Sequence, residues 1–116
     1  MDNFTRGYIT CALWSSIDDD GIPLDDSMSV DDIAPASLER MQADCAKFQR
    51  DNEHLLVQSS RPDDYKGHDF WLTRNRHGVG FWDRGDEELG EALTRAAHSF
   101  GEHSLYVGDD GLIHGV

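Results

Sequence analysis

Basic residues are scarce in this chain. Its 116 residues include ten Lys and Arg against 23 Asp and Glu, a formal net charge of −13 with His neutral. Affinity for nucleic acid rests on a Lys/Arg face that displaces counterions from phosphates. Ten bases scattered among 23 acids do not make one, and an anionic membrane surface is excluded on the same ground. Long apolar runs are also missing. None approaches the roughly 18 residues that span a bilayer, and the N-terminus has no basic segment followed by an apolar one. A soluble, cytoplasmic protein is expected. Cysteine is limited to Cys11 and Cys45, with no C-x-x-C pair and no His at zinc spacing. Buried, reduced thiols are the expectation for a reducing compartment, a disulfide between them the alternative. There is no glycine-rich phosphate loop and no Ser or Cys in a nucleophile elbow. No cofactor and no metal are expected.

What the chain does have is acid at both ends. Residues 1–35 carry Asp2, Asp18, Asp19, Asp20, Asp25, Asp26, Asp31 and Asp32 against Arg6 alone. Residues 86–116 carry Asp86, Glu87, Glu88, Glu91, Glu102, Asp109 and Asp110 against Arg95 alone. The middle of the chain balances, so the two ends account for the whole net charge. Charge this lopsided repels itself on compaction and implies a field aimed at a cationic partner; the plainer reading is solubility. Eleven aromatics (three Trp, five Phe and three Tyr) are too many for a disordered acidic tail. A single folded domain over 1–116 is expected, with one modest core.

The pattern predicts a first helix over Phe4–Ser15, with a strand as the competing reading because Tyr8, Ile9 and Thr10 favour β structure. A long acidic connection, 16–34, follows; its length beyond a dozen or so residues points to function. Pro35 opens a second helix reaching Val57, with Leu38, Met41, Cys45, Phe48, Asn52 and Leu55 at three- and four-residue steps. His68–Arg74 and Val79–Arg84 read as strands joined by Asn75-Arg76-His77-Gly78, a hairpin turn with Asn and Gly where positive φ is cheap. A third helix over Asp86–Phe100 has an acidic first turn and a stripe of Leu89, Leu93, Ala96, Ala97 and Phe100. His103–Val107 and Leu112–Val116 form a second hairpin. The fold class expected is α+β, in the order α-α-β-β-α-β-β, with a four-stranded, mainly antiparallel sheet packed by helices.

Three constellations stand out. Asp19-Asp20, Asp25-Asp26 and Asp31-Asp32 repeat every six residues, with Ile22, Leu24, Met28, Val30 and Ile33 between them to pin the segment to a core. Extended at roughly 3.3 Å per residue, successive pairs would lie at most about 20 Å apart, a span of several phosphate steps. Asp18-Asp19-Asp20-Gly21 looks like the start of a calcium loop, but Ser16 and Ser27 stand where the first and last ligands belong. The segment 68–85 gathers His68, Asp69, Trp71, His77 and Asp83, the residues a small enzyme or ligand-binding domain would use. In a hairpin, however, His77 sits at the turn, on the order of 20 Å from His68. Core-forming aromatic pairs are then the plainer reading.

The run His68-Asp69-Phe70-Trp71-Leu72-Thr73-Arg74-Asn75, continued by His77-Gly78 and Gly80-Phe81-Trp82-Asp83-Arg84-Gly85, resembles a phrase shared by a group of small phage- and prophage-encoded proteins. The likeness extends to Phe4-Thr5-Arg6, Leu13-Trp14-Ser15-Ser16, Val30-Asp31-Asp32 and Leu105–Gly111. The group brings no agreed activity. The resemblance implies a context, the host cytoplasm, in which small acidic phage proteins are often inhibitors of host machinery. The function expected is therefore inhibition of a host nucleic-acid-binding defence protein by DNA mimicry. An anti-CRISPR role is the first choice, and a restriction or repair enzyme is the second target. The partner is a basic protein. The contact residues expected are Asp18, Asp19, Asp20, Asp25, Asp26, Asp31, Asp32, Glu87, Glu88, Glu91, Asp109 and Asp110, with Trp14 and Ile22 as apolar anchors. A virion or lysogen accessory protein is the remaining alternative.

Overall fold

In a computed structural model describing residues 1–116, helices build nearly all of the framework. They are α1 (Asn3–Ser15), α2 (Pro35–Asp51), the single turn α3 (Glu53–Leu56), α4 (Asp63–Arg74) and α5 (Glu87–His98). Short 3-10 turns at Leu24–Asp26, Val30–Asp32 and Phe81–Asp83 interrupt the connections. The strands β1 (Leu105–Val107) and β2 (Ile113–Gly115) form one antiparallel pair, in the register Leu105↔Gly115, Tyr106↔His114 and Val107↔Ile113. The expected four-stranded sheet is absent.

The correction lies in the segment 68–85. Its first half is helix α4, and its second half is irregular backbone with one 3-10 turn. Pro62 and the acidic first turn Asp63-Asp64 suit a helix start. Gly67, Phe70, Trp71 and Arg74 then recur at helical spacing along the buried face. The supposed hairpin turn is the end of that helix: Arg76 adopts φ 58°, its N–H donates to the Thr73 carbonyl, and the His77 N–H donates to the Leu72 carbonyl. This double bond pattern is a Schellman motif. Asn75 and Gly78, read as hairpin residues, flank it.

Other elements follow the sequence more closely. The Asp2 side chain caps α1 by accepting from Thr5 N at 2.8 Å, and Asp86 caps α5 by accepting from Leu89 N. The second helix is broken at Asn52 (φ −122°, ψ 18°), so the expected run to Val57 is divided into α2 and α3. The terminal hairpin falls where its turn residues place it.

One core unites these elements. Helices α1 and α4 cross closely because Gly7 faces the Asp64 backbone and Gly67 faces the Phe4 carbonyl, positions where a Cβ would collide. Phe48 of α2 stacks on Phe70 of α4 at 4.1 Å between ring centroids, with Phe4, Phe81 and Phe100 packed around them. The expected stripes of α2 and α5 do face this core, without a shared sheet beneath them.

The largest fully buried side chain is Arg74, which ties four segments together. Its guanidinium donates to the Tyr8 hydroxyl at 2.9 Å, to Asp44 Oδ2 at 2.8 Å, and to the carbonyls of Phe100 and Gly101. It also lies over the rings of Phe70 and Phe100. A buried charge is tolerable when it is paired and its donors are satisfied, and Arg74 meets that condition.

Candidate functional site

The acidic connection is folded, not extended. Ile17 pairs with Pro23, the Leu24 N–H donates to the Ser16 carbonyl, and Leu24 is buried against α1. Asp18 Oδ1 accepts from the N–H groups of Asp20 and Ile22, while Gly21 takes φ 79°. The calcium-like string is thus an Asx turn whose first carboxylate serves its own backbone. Asp32 closes a capping box with Ser29 around the second 3-10 turn. The side chains of Asp19, Asp20, Asp25, Asp26 and Asp31 are exposed on this pinned backbone, and none of their carboxylates accepts a hydrogen bond from another residue.

The C-terminal acids divide between two places. Ile33, directly after Asp31-Asp32, bridges Ile113 of β2, and Ala34 N donates to the Ile113 carbonyl at 2.8 Å. Asp19, Asp109 and Asp110 consequently border one open concavity with Tyr106 and His114. Asp110 is held by Leu112 N and by His114 Nε2 at 3.0 Å, and these two bonds, the backbone one foremost, keep its carboxyl below the usual range. Glu87, Glu88 and Glu91 lie elsewhere, on the first turns of α5, whose start borders α3 and Arg61. Glu91 is paired with Arg95 at 3.0 Å on the surface.

Beside the acidic loop, Trp14 and Ile22 are exposed at 58 % and 44 %, with Ile17 between them at 58 %. Trp14 lies against the His68 ring, 6.1 Å between centroids, and both border an open concavity with Leu72, His77, Val79 and Arg84. The large His68–His77 separation expected of a hairpin is therefore overturned. A helix rises only about 1.5 Å per residue, and the chain doubles back after Arg76. No group of three His, Cys, Asp or Glu side chains has metal-holding geometry. Burial pulls the His68 pKa below its ordinary value, against the opposing charge of Asp69.

Two further members of that set, Asp69 and Trp71, are built into the core. Asp69 is 1 % exposed, and both its oxygens are taken by Arg84, at 2.7 and 3.2 Å. Trp71 is buried and donates to Ser15 Oγ at 2.8 Å. Asp83 is on an exposed 3-10 turn. Cys11 and Cys45 are free and fully buried; burial pushes the Cys11 thiol up to about 12, which makes it unreactive.

Sequence reasoning missed two groups. His103, buried at 1 % with neither ring nitrogen hydrogen-bonded, carries no ligand spacing to mark it. The cations Arg61, Lys66 and Arg84 come from separate segments and meet only in the fold, lining one partly enclosed pocket. No family model, curated protein or solved structure matches this chain. No helix is long and apolar enough to cross a membrane.

Proposed function

We propose that this protein is an acidic, phage-type inhibitor that occupies the nucleic-acid site of a basic host defence protein, its carboxylates standing in for phosphates. A CRISPR surveillance complex is the first target to examine and a restriction or repair enzyme the second. The observation that supports the reading is the meeting of the two acidic ends at Asp19, Asp109 and Asp110. Asp20, Asp25, Asp26 and Asp31 are exposed on the same connection, whose backbone is pinned by Leu24 and Ile33. Preorganised charges steer association, and affinity then centres on a few buried apolar groups. Trp14, Ile17 and Ile22 supply such anchors beside the acidic rim.

The test is competition. Binding to the target should exclude its DNA or RNA, measured by fluorescence anisotropy of a labelled oligonucleotide. Changing Asp19, Asp20, Asp25, Asp26, Asp31 and Asp109 to Asn spares the carboxylates that hold turns. It should lower the on-rate about ten- to a thousandfold, as expected when steering is lost. Changing Glu87, Glu88 and Glu91 to Gln, at the start of α5, should alter it far less. Simultaneous binding of the protein and nucleic acid to the target, or an unchanged on-rate after the Asp→Asn set, would refute mimicry.

A further inference from the structure

An acidic protein has few cations to place, and three of its ten converge on one recess. Arg61, Lys66 and Arg84 line a pocket of about 170 Å³ between the α3–α4 connection, α4 and the start of α5, with the hydroxyl-bearing Ser59 and Ser60 at its edge. The carboxylates in its wall are already committed. Asp69 is held by two Arg84 donors, and Asp86 caps α5 through Leu89 N.

The cations are each within ion-pair distance of a carboxylate, but not all of their donors are used. Lys66, whose side chain is only 11 % exposed, donates no hydrogen bond within the protein; its nearest carboxylate is the exposed Asp63, 3.7 Å away. Arg61 Nε is buried without a hydrogen bond, since its 3.4 Å approach to Asp69 lacks the required direction. Arg61 is held in place by the Tyr65 ring, 5.1 Å from the guanidinium. Arg84 uses Nε and Nη2 on Asp69, which leaves Nη1 available. Lys66 Nζ and Arg84 Nη1 have no hydrogen-bond acceptor within the protein, and an anion offers them charge-assisted bonds.

We infer that this pocket binds a single small oxyanion, a phosphate or carboxylate group, through Lys66, Arg61 and the free edge of Arg84. Size sets the class. A cavity of about 150 Å³ accommodates a benzene ring, whereas drug-sized ligands need about 300 Å³ or more. One oxyanion fills it, and a larger ligand would place only one such group inside. The site is distinct from the acidic docking surface and is independent of the function proposed for that surface.

Inorganic phosphate and acetate, each titrated against chloride at constant ionic strength and followed by amide chemical shifts, provide the test. At least one anion should give saturable shifts confined to residues around Ser60, Arg61, Lys66 and Arg84; which one it is separates a tetrahedral from a planar preference. Lys66→Met keeps the aliphatic stem and removes the ammonium. It should raise Kd at least about tenfold, the loss of one charge-assisted hydrogen bond. Ser60→Ala, a change at an exposed position, is the second variant and should weaken binding less. Shifts with neither anion, shifts spread over the whole surface, or unchanged binding in Lys66→Met would each overturn the site. If Lys66→Met does not fold, the wild-type shift map decides by itself.

Discussion

At the scale of single residues, buried polar groups divide into those with partners and a few without, and His103 is the one in which the whole ring is unpartnered. Arg74 and Asp69 are charged and fully engaged. His103 is buried against Trp71 and the Gly115 backbone with neither ring nitrogen hydrogen-bonded. Burial, with Arg40 and Arg74 nearby, lowers its pKa from 6.5 to about 4. The unfolded chain therefore takes up a proton between those two values that the native state refuses. Stability should fall as pH drops through that window and level off below it. At about 1.4 kcal/mol per unit, the loss is at most about 3.5 kcal/mol. Acid also relieves carboxylate repulsion, which has the opposite sign, so the comparison must be with His103→Leu. In urea melts from pH 7.5 to 4 the wild type should lose stability relative to the variant. A difference that does not change with pH would show that His103 is not held neutral.

At the scale of elements, α4 shows how packing overrides local preference. Phe70, Trp71 and Thr73 favour strands in isolation, and Asn75 and Gly78 imitate a hairpin turn. The face presented by Gly67, Phe70, Trp71 and Arg74 nevertheless buries against α1 only as a helix. Gly67 makes the argument testable through its sign. Helix propensity alone predicts that Gly67→Ala stabilises by about 1 kcal/mol. The added methyl, however, meets the Phe4 carbonyl across the α1–α4 crossing. Overpacking of this kind typically destabilises by about 1–3 kcal/mol. Denaturant melts should therefore show a loss, and a gain would mean that the helices are not in close contact there.

At the scale of the whole molecule, the net charge of −13 opposes compaction over a body measuring 43 × 25 × 23 Å. Screening shortens from about 30 Å at 0.01 M salt to about 8 Å at physiological ionic strength. Stability in urea should accordingly rise as sodium chloride is added over that range. The Asp→Asn set at positions 19, 20, 25, 26, 31 and 109 should be more stable than wild type at low salt and less responsive to it. An identical salt response in the two proteins would show that these carboxylates do not repel one another appreciably.

Local chemistry was sufficient for α1, α5 and the terminal hairpin. Asp2 and Asp86 as caps, the 3.6-residue apolar stripe of α5, and the glycines flanking Asp109-Asp110 act within a few residues of where they stand. The crowding of acid at both ends was equally legible, because charge is additive along the sequence. The fate of 68–85 was not. Its aromatic run satisfies strand and helix patterns alike, and the close approach permitted by Gly7 and Gly67 decides between them from sixty residues apart in sequence. The meeting of Asp19 with Asp109 and Asp110 likewise depends on the Ile33–Ile113 bridge, and the Arg61–Lys66–Arg84 pocket on α5 folding back over α4. Caps and stripes are set by neighbours in the chain, whereas sites assembled from distant segments exist only once the core has brought those segments together.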